Sequence, residues 1–176
     1  MPTLHCSPGR HTHTLRVCFL RRGSRTIQVL YLGRGHTAAD LVVHLPAEGI
    51  VIAGDLVVWP VPLIGSTSHP SDFGATLDKL VALKPSIIVP GHGPVMKDDG
   101  YARLVSRLVK SLTTQVDAAV GRNETLEQAR KSVRFDEFRK EIVHDSTMLG
   151  IIFDNYVTSS GVAAAYKEAT AARGGR

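Results

Sequence analysis

The sequence predicts a layered α/β domain that continues into a helical C-terminal part, on three observations. Two β-rich hairpin patterns occupy 15–32 and 41–53. An amphipathic helical run at 71–83 leads into a short apolar strand at 87–89. Beyond residue 97 the apolar residues recur at helical spacing. A length of 176 residues suits one domain with a core of its own. The expected division is an irregular lead-in over 1–14, a β-rich half over 15–96, a helical part of the same domain over 97–172, and a fraying tail over 173–176.

Met1 to Thr14 is rich in Pro, Gly, Ser, Thr and His, which disfavours regular structure. Leu15 to Leu20 and Thr26 to Leu32 flank Arg21-Arg22-Gly23-Ser24, and Gly23 supplies the turn. Leu41 to Leu45 and Ile50 to Ala53 flank Pro46-Ala47-Glu48-Gly49. Both runs are nearly all apolar, which predicts strands buried on both faces. Ser71 is the expected N-cap of the next helix, with Phe73, Leu77, Leu80 and Val81 on one face and Pro85 beyond its end. Ile87-Ile88-Val89 runs into the turn-rich Pro90-Gly91-His92-Gly93-Pro94. Tyr101, Leu104, Val105, Leu108, Leu112, Val116 and Ala119 then mark one long helix stopped at Gly121. Shorter helices are expected at 124–132 and 135–143, and another from Ser146 carrying Leu149, Ile152, Phe153 and Tyr156. Ser159-Ser160-Gly161 is expected to break it before a last helix at 163–172.

Composition excludes several classes. Apolar content of 43% with 21% charged residues is that of a soluble globular domain. The longest apolar run, Gly49 to Pro62, is interrupted by Asp55 and prolines, so no membrane span is expected. Met1 to Arg10 lacks the apolar stretch of a signal peptide, and a cytoplasmic location is the default expectation. Cys6 and Cys18 have neither CxxC nor zinc-finger spacing and are expected to be isolated thiols. The net charge of +5 is concentrated early, in Arg10, Arg16, Arg21, Arg22, Arg25 and Arg34. Only Phe19 and Tyr31 lie among these arginines, too sparse a set for base stacking, which argues for a solvated hairpin face over a nucleic-acid surface.

Three loops each place one metal-capable side chain at a strand end: Gly35-His36-Thr37, Gly54-Asp55 and Pro90-Gly91-His92-Gly93. Such loops bring distant residues together while the sheet holds them. Glycine beside each ligand leaves room for an ion and a substrate. Two imidazoles and a carboxylate suit zinc, or less selectively iron or manganese. No GxSxG elbow, Walker A loop or GxGxxG turn competes with this set.

The stretch Thr26 to Val95, reading TIQVLYLGRGHTAADLVVHLPAEGIVIAGDLV and later SIIVPGHGPV, resembles the second half of the metallo-β-lactamase-fold hydrolase superfamily. The resemblance covers the central ~40% of the chain, and its strength lies in the order of its motifs. It implies the C-terminal half of an αββα sandwich with a helical C-terminal extension. It further implies two metal ions, usually zinc: His36 on the first, Asp55 bridging both, and His92 on the second. By the same resemblance, metal-bound water positioned by Asp55 attacks an ester, thioester, lactam or phosphodiester of a small-molecule substrate. The family's first ligand motif, HxHxDH, is missing from this sequence. Each metal then keeps one terminal ligand and a shared carboxylate, where zinc wants at least three protein ligands. One ion or none is therefore expected on this chain alone, unless His36, Asp55 and His92 rearrange to share one. His11-Thr12-His13 is a short HxH but lacks the following DH.

The remaining polar candidates carry milder expectations. His44 is expected as a satisfied buried group, His69 as a residue near the site mouth, and His144 as a helix-end residue. Asp40 is expected to accept backbone amides of the GHT loop. Trp59 is expected to pack in the core, with a pocket-lining role as the alternative. Two functional readings stay open: a metal-dependent hydrolase, truncated and impaired as this chain, and a non-catalytic half-domain acting as a binding or assembly module. A sheet face left without its partner layer predicts a homodimer or pairing with a separate N-terminal half.

Overall fold

A computed structural model describes residues 3–7 and 16–174. Six strands form one sheet whose order is the chain order: β1 (Thr3–Ser7), β2 (Arg16–Arg22), β3 (Arg25–Tyr31), β4 (Val42–Leu45), β5 (Ile50–Val58) and β6 (Ile87–His92). The first four pairings are antiparallel, and β5 with β6 is parallel. A parallel pair needs a crossover, and α1 (Pro70–Ala82) supplies it. The helical part follows as α2 (Gly100–Gly121), α3 (Leu126–Ser132), α4 (Asp136–Val143), α5 (Thr147–Phe153), a π-helical segment (Asp154–Gly161) and α6 (Val162–Gly174). The expected class, mixed α/β with a helical C-terminal part, is the architecture found.

The core lies between the helices and one face of the sheet. Leu30, Val42, Val51, Ala53 and Ile88 point into it, against Phe73, Leu77 and Leu80 of α1 and the stripe Val105, Leu108, Leu112 and Val116 of α2. The opposite face has the same apolar character without the same cover. Register aligns Cys18 with Val29, Val29 with Val43, Val43 with Ile52, and Ile52 with Val89. Ile52 is 40% exposed, whereas its neighbours Val51 and Ala53 are buried. The expectation of strands buried on both faces is corrected here. Among the described residues, the helices cover one face alone.

Other boundaries shift for local reasons. Residues 3–7, expected to be irregular, pair as β1 with β2. His11 and His13 lie outside the described residues. β5 runs on through Gly54-Asp55, with register shifts on both sides of Gly54, whose φ is +54°. A left-handed glycine lets a strand kink and continue. β6 likewise extends through Pro90-Gly91 to His92. Asp55 and His92 therefore sit inside strand ends and not in loops beyond them. α1 begins one residue before the expected cap, because Pro70 fits the first helical position and His69 takes the N-cap. At 159–161 the helix does not break: the π-helical segment carries the chain through to α6. Helix persists to Gly174, beyond the expected fraying point. Cys18 is disulfide-bonded, which corrects the isolated-thiol expectation, and its cross-strand Cα partner is Cys6.

Candidate metal centre

His36, Asp55 and His92, far apart in sequence, are brought together at the β5–β6 end of the sheet. Asp55 stands between the two imidazoles and offers one oxygen to each. His36 Nε2 lies 3.9 Å from Asp55 Oδ2, and His92 Nε2 lies 3.6 Å from Asp55 Oδ1. Both separations exceed an N–H···O hydrogen bond. Two donors each ~2.0–2.2 Å from a shared ion stand roughly 3.4–3.9 Å apart at angles from tetrahedral to about 135°. The spacing thus suits one ion between each imidazole and the carboxylate.

Local sequence explains the placement. The parallel β5–β6 register sets Asp55 beside the Pro90–His92 strand end. Gly91 makes this possible. A Cβ at position 91 would stand 2.1 Å from Asp55 Oδ1 and 2.8 Å from the Gly54 carbonyl carbon. His36 is fixed by a 2.9 Å contact between Nδ1 and the Leu63 carbonyl oxygen. A carbonyl can only accept, so Nδ1 carries a proton there, and Nε2 is the nitrogen turned toward Asp55. The His36 loop is closed by Asp40, which accepts from the Thr37 amide at 2.9 Å and the Thr37 hydroxyl at 2.7 Å. This is the role expected of Asp40. α1 holds the approach to the loop: Thr76 Oγ1 donates to the Arg34 carbonyl at 2.7 Å, Lys79 Nζ to the Leu32 carbonyl at 2.8 Å, and the His69 amide to the Gly35 carbonyl at 2.8 Å.

The fit to metal is partial. Among the described residues, no group of three or more His, Cys, Asp or Glu side chains gathers to hold one ion. The trio by itself therefore does not make a three-ligand site.

Other residues fall away from the trio. His44 is buried, with Nδ1 3.0 Å from Gln28 Oε1, and burial lowers its pKa below the ordinary histidine value. His69 Nδ1 lies 3.1 Å from Glu168 Oε1, and the other oxygen of Glu168 accepts from the Ser71 amide at 2.9 Å. That side chain ties α6 to the start of α1. His144 ends α4 with φ +50°. Of the arginines, Arg25 pairs with Glu48 at 2.5 Å and Arg34 with Asp72 at 2.6 Å, so the early positive charge is partly neutralised.

Trp59 corrects the core-packing expectation: it is 47% exposed. Its amide donates to the His92 carbonyl at 3.1 Å. The carbonyls on either side of it, of Val58 and Pro60, share the single hydroxyl proton of Tyr101 on α2, at O···O distances of 2.8 and 2.9 Å. Burial pushes the Tyr101 phenol up, so it stays a protonated donor. Neither Tyr101 nor the Leu63 carbonyl carries a motif that sequence reading could have caught.

Residues 19–92 match the family model described as the metallo-beta-lactamase superfamily. Solved structures with a partial likeness include a metallo-beta-lactamase from Pontibacter korlensis, 24% identical over 57% of this chain and 47% of that one, with a TM-score of 0.47. Metallo-beta-lactamase IND-7 is 28% identical over 52% of this chain and 44% of that one, with a TM-score of 0.46. VMB-1 is 28% identical over 48% and 41%, with a TM-score of 0.44. The chain spans less than half the length of each of these structures. Among the described residues, no helix is long and apolar enough to cross a membrane.

Proposed function

We propose, from the match of residues 19–92 to the metallo-beta-lactamase superfamily model, that this chain supplies one half of a binuclear metal-dependent hydrolase centre. One observation carries the proposal: the Asp55 carboxylate stands between two Nε2 atoms, with a separate oxygen toward each, at 3.9 and 3.6 Å. His36 and Asp55 would hold one zinc ion, and Asp55 and His92 the other. Bound ions would supply Lewis-acid polarisation of water and of the scissile group. The protein's own part is positional. The Leu63 carbonyl fixes the His36 tautomer, Gly91 leaves room for the carboxylate, and α1 holds the His36 loop. The substrate is a small molecule with an ester, thioester, lactam or phosphodiester bond. Further ligands would come from outside these residues, and a separate N-terminal half bearing HxHxDH or a second copy, docked on the uncovered sheet face, is the source we propose.

The test is metal content with its dependence on partner. The purified chain alone should hold zinc weakly and hydrolyse nitrocefin and a thioester slowly or not at all. Adding an N-terminal half that carries HxHxDH should raise bound zinc toward two per complex, with turnover. His36→Ala and His92→Ala should each abolish the gain. If neither the chain nor the mixture holds stoichiometric metal, the hydrolase reading is lost. The absence of a three-ligand cluster among the described residues favours a second reading, a non-catalytic binding or assembly module. That reading expects pairing without turnover. The cytoplasmic setting expected from sequence stands against the disulfide at Cys18, since such bonds persist in oxidising compartments. Thiol alkylation in intact cells decides that point.

A further inference from the structure

We infer that Trp59 is the recognition wall of this site, and that the substrate carries a flat apolar group, aryl or aryl-acyl, beside the bond to be cleaved. This rests on the hydrolase reading above and narrows its substrate class.

The case begins with how the indole is presented. The Trp59 amide is bonded to the carbonyl of His92, and Tyr101 holds the carbonyls on both sides of it. A Cβ at Gly93 would stand 2.8 Å from Trp59 Cβ and 3.4 Å from Cε3, so the ring edge lies over the residue that follows His92. The backbone is thus pinned to α2 and to the His92 strand end, while the side chain stays half exposed. A large aromatic on a rigid mount beside convergent polar groups is how ligand sites present apolar contact area.

The neighbouring segments repeat the pattern. Leu41 and Val95 are also exposed large apolar residues. Leu41 lies five positions after His36, Trp59 four after Asp55 and Val95 three after His92. Two cations close to His36 in sequence or space are already engaged, Arg34 with Asp72 and Lys79 with the Leu32 carbonyl. That composition favours an apolar acyl or aryl group over a phosphodiester, which asks for free guanidinium or ammonium groups.

Trp59 is the sole tryptophan, so the emission of the full chain reports on it alone. The experiment titrates phenylacetate, a product-like aryl carboxylate, against acetate and inorganic phosphate, with and without zinc. Zinc content is measured separately by elemental analysis. Phenylacetate should shift Trp59 emission to the blue saturably and bind ~10-fold more tightly than acetate. By calorimetry, Trp59→Phe should keep that preference and Trp59→Ala should erase it, with zinc content unchanged in both. Equal binding of phenylacetate and acetate, a preference for phosphate, or a preference that survives Trp59→Ala overturns the inference. Zinc binding without aryl preference removes the wall and leaves the hydrolase reading intact. Aryl preference without any zinc does the reverse, and the absence of both sinks both.

Discussion

Replacing Gly91 with alanine sets a methyl carbon where Asp55 Oδ1 now lies, 2.1 Å from it. Backbone atoms of Gly54 and Asp55 crowd the same point at 2.8 and 3.0 Å, so the strands cannot simply part. The carboxylate must rotate away from His92. Gly91→Ala should therefore cost at least ~10-fold in zinc affinity of the paired complex, as loss of one charge-assisted ligand contact of ~1.5–3 kcal/mol implies. Because the same Cβ also meets β5 backbone, far-UV circular dichroism and a urea melt separate lost ligation from a disturbed β5–β6 pair. Unaltered zinc affinity would show that Asp55 does not bind from its present position. A different residue governs acid behaviour. Burial holds the pKa of His44 below the ordinary value of about 6.5. Between the lowered folded value and the unfolded one, the unfolded chain binds the extra proton. Stability is therefore full above about pH 6.5 and falls as pH drops toward the folded pKa. His44→Gln should flatten the stability profile between pH 7.5 and 5.5, measured by urea unfolding, and a parallel profile would place the titrating group elsewhere.

At the scale of elements, α1 decides whether the His36 loop is rigid, through Thr76, Lys79 and the His69 amide. Thr76 is buried, so Thr76→Val keeps its volume but leaves the Arg34 carbonyl without a partner. That should cost ~1–3 kcal/mol in urea unfolding and weaken zinc binding through His36, while Thr76→Ser restores both. An unaffected zinc affinity would show that the loop holds itself. Helices and strands were legible because their periodicities are local: the α1 face of Phe73, Leu77 and Leu80 reads directly as core. The proximity of His36, Asp55 and His92 was legible because glycines flank each of them. The ends of β5 and β6 were not, since Gly54 and Pro90-Gly91 look like turn residues, yet the sheet register carries the strands through them. Trp59 was misplaced for a related reason. Within the apolar stretch Leu56 to Trp59, nothing local marks the point where side chains leave the core. The supports of the site, Leu63 for His36 and Tyr101 for Trp59, lie 27 and more than 40 residues away in sequence, where local pattern has no reach.

Among the described residues one apolar sheet face is uncovered, and the proposed metal centre lacks ligands; the proposed partner answers both. The row Cys18, Val29, Val43, Ile52 and Val89 crosses five strands. Pleat alternation puts Leu20, Ile27, Leu45 and Ile50 on the same side. Every Å² of apolar surface left in water forgoes ~25 cal/mol, so a partner covering this face would be favoured by that burial. If the docked partner also brings metal ligands, zinc binding and pairing share one equilibrium, and each must tighten the other by the same factor. Sedimentation across a concentration series should show the chain associating with itself, or with an added N-terminal half, more tightly in zinc than in chelator. Ile52→Lys places a charge in the middle of the row at a position already 40% exposed, so the monomer keeps its fold. It should lose both pairing and the zinc gained on pairing. His36→Ala should lose the zinc dependence alone and still associate through the face. A chain that sediments as a monomer at every concentration, with and without zinc, and melts in one cooperative transition would leave the face without a partner and the proposed metal centre without its completing ligands.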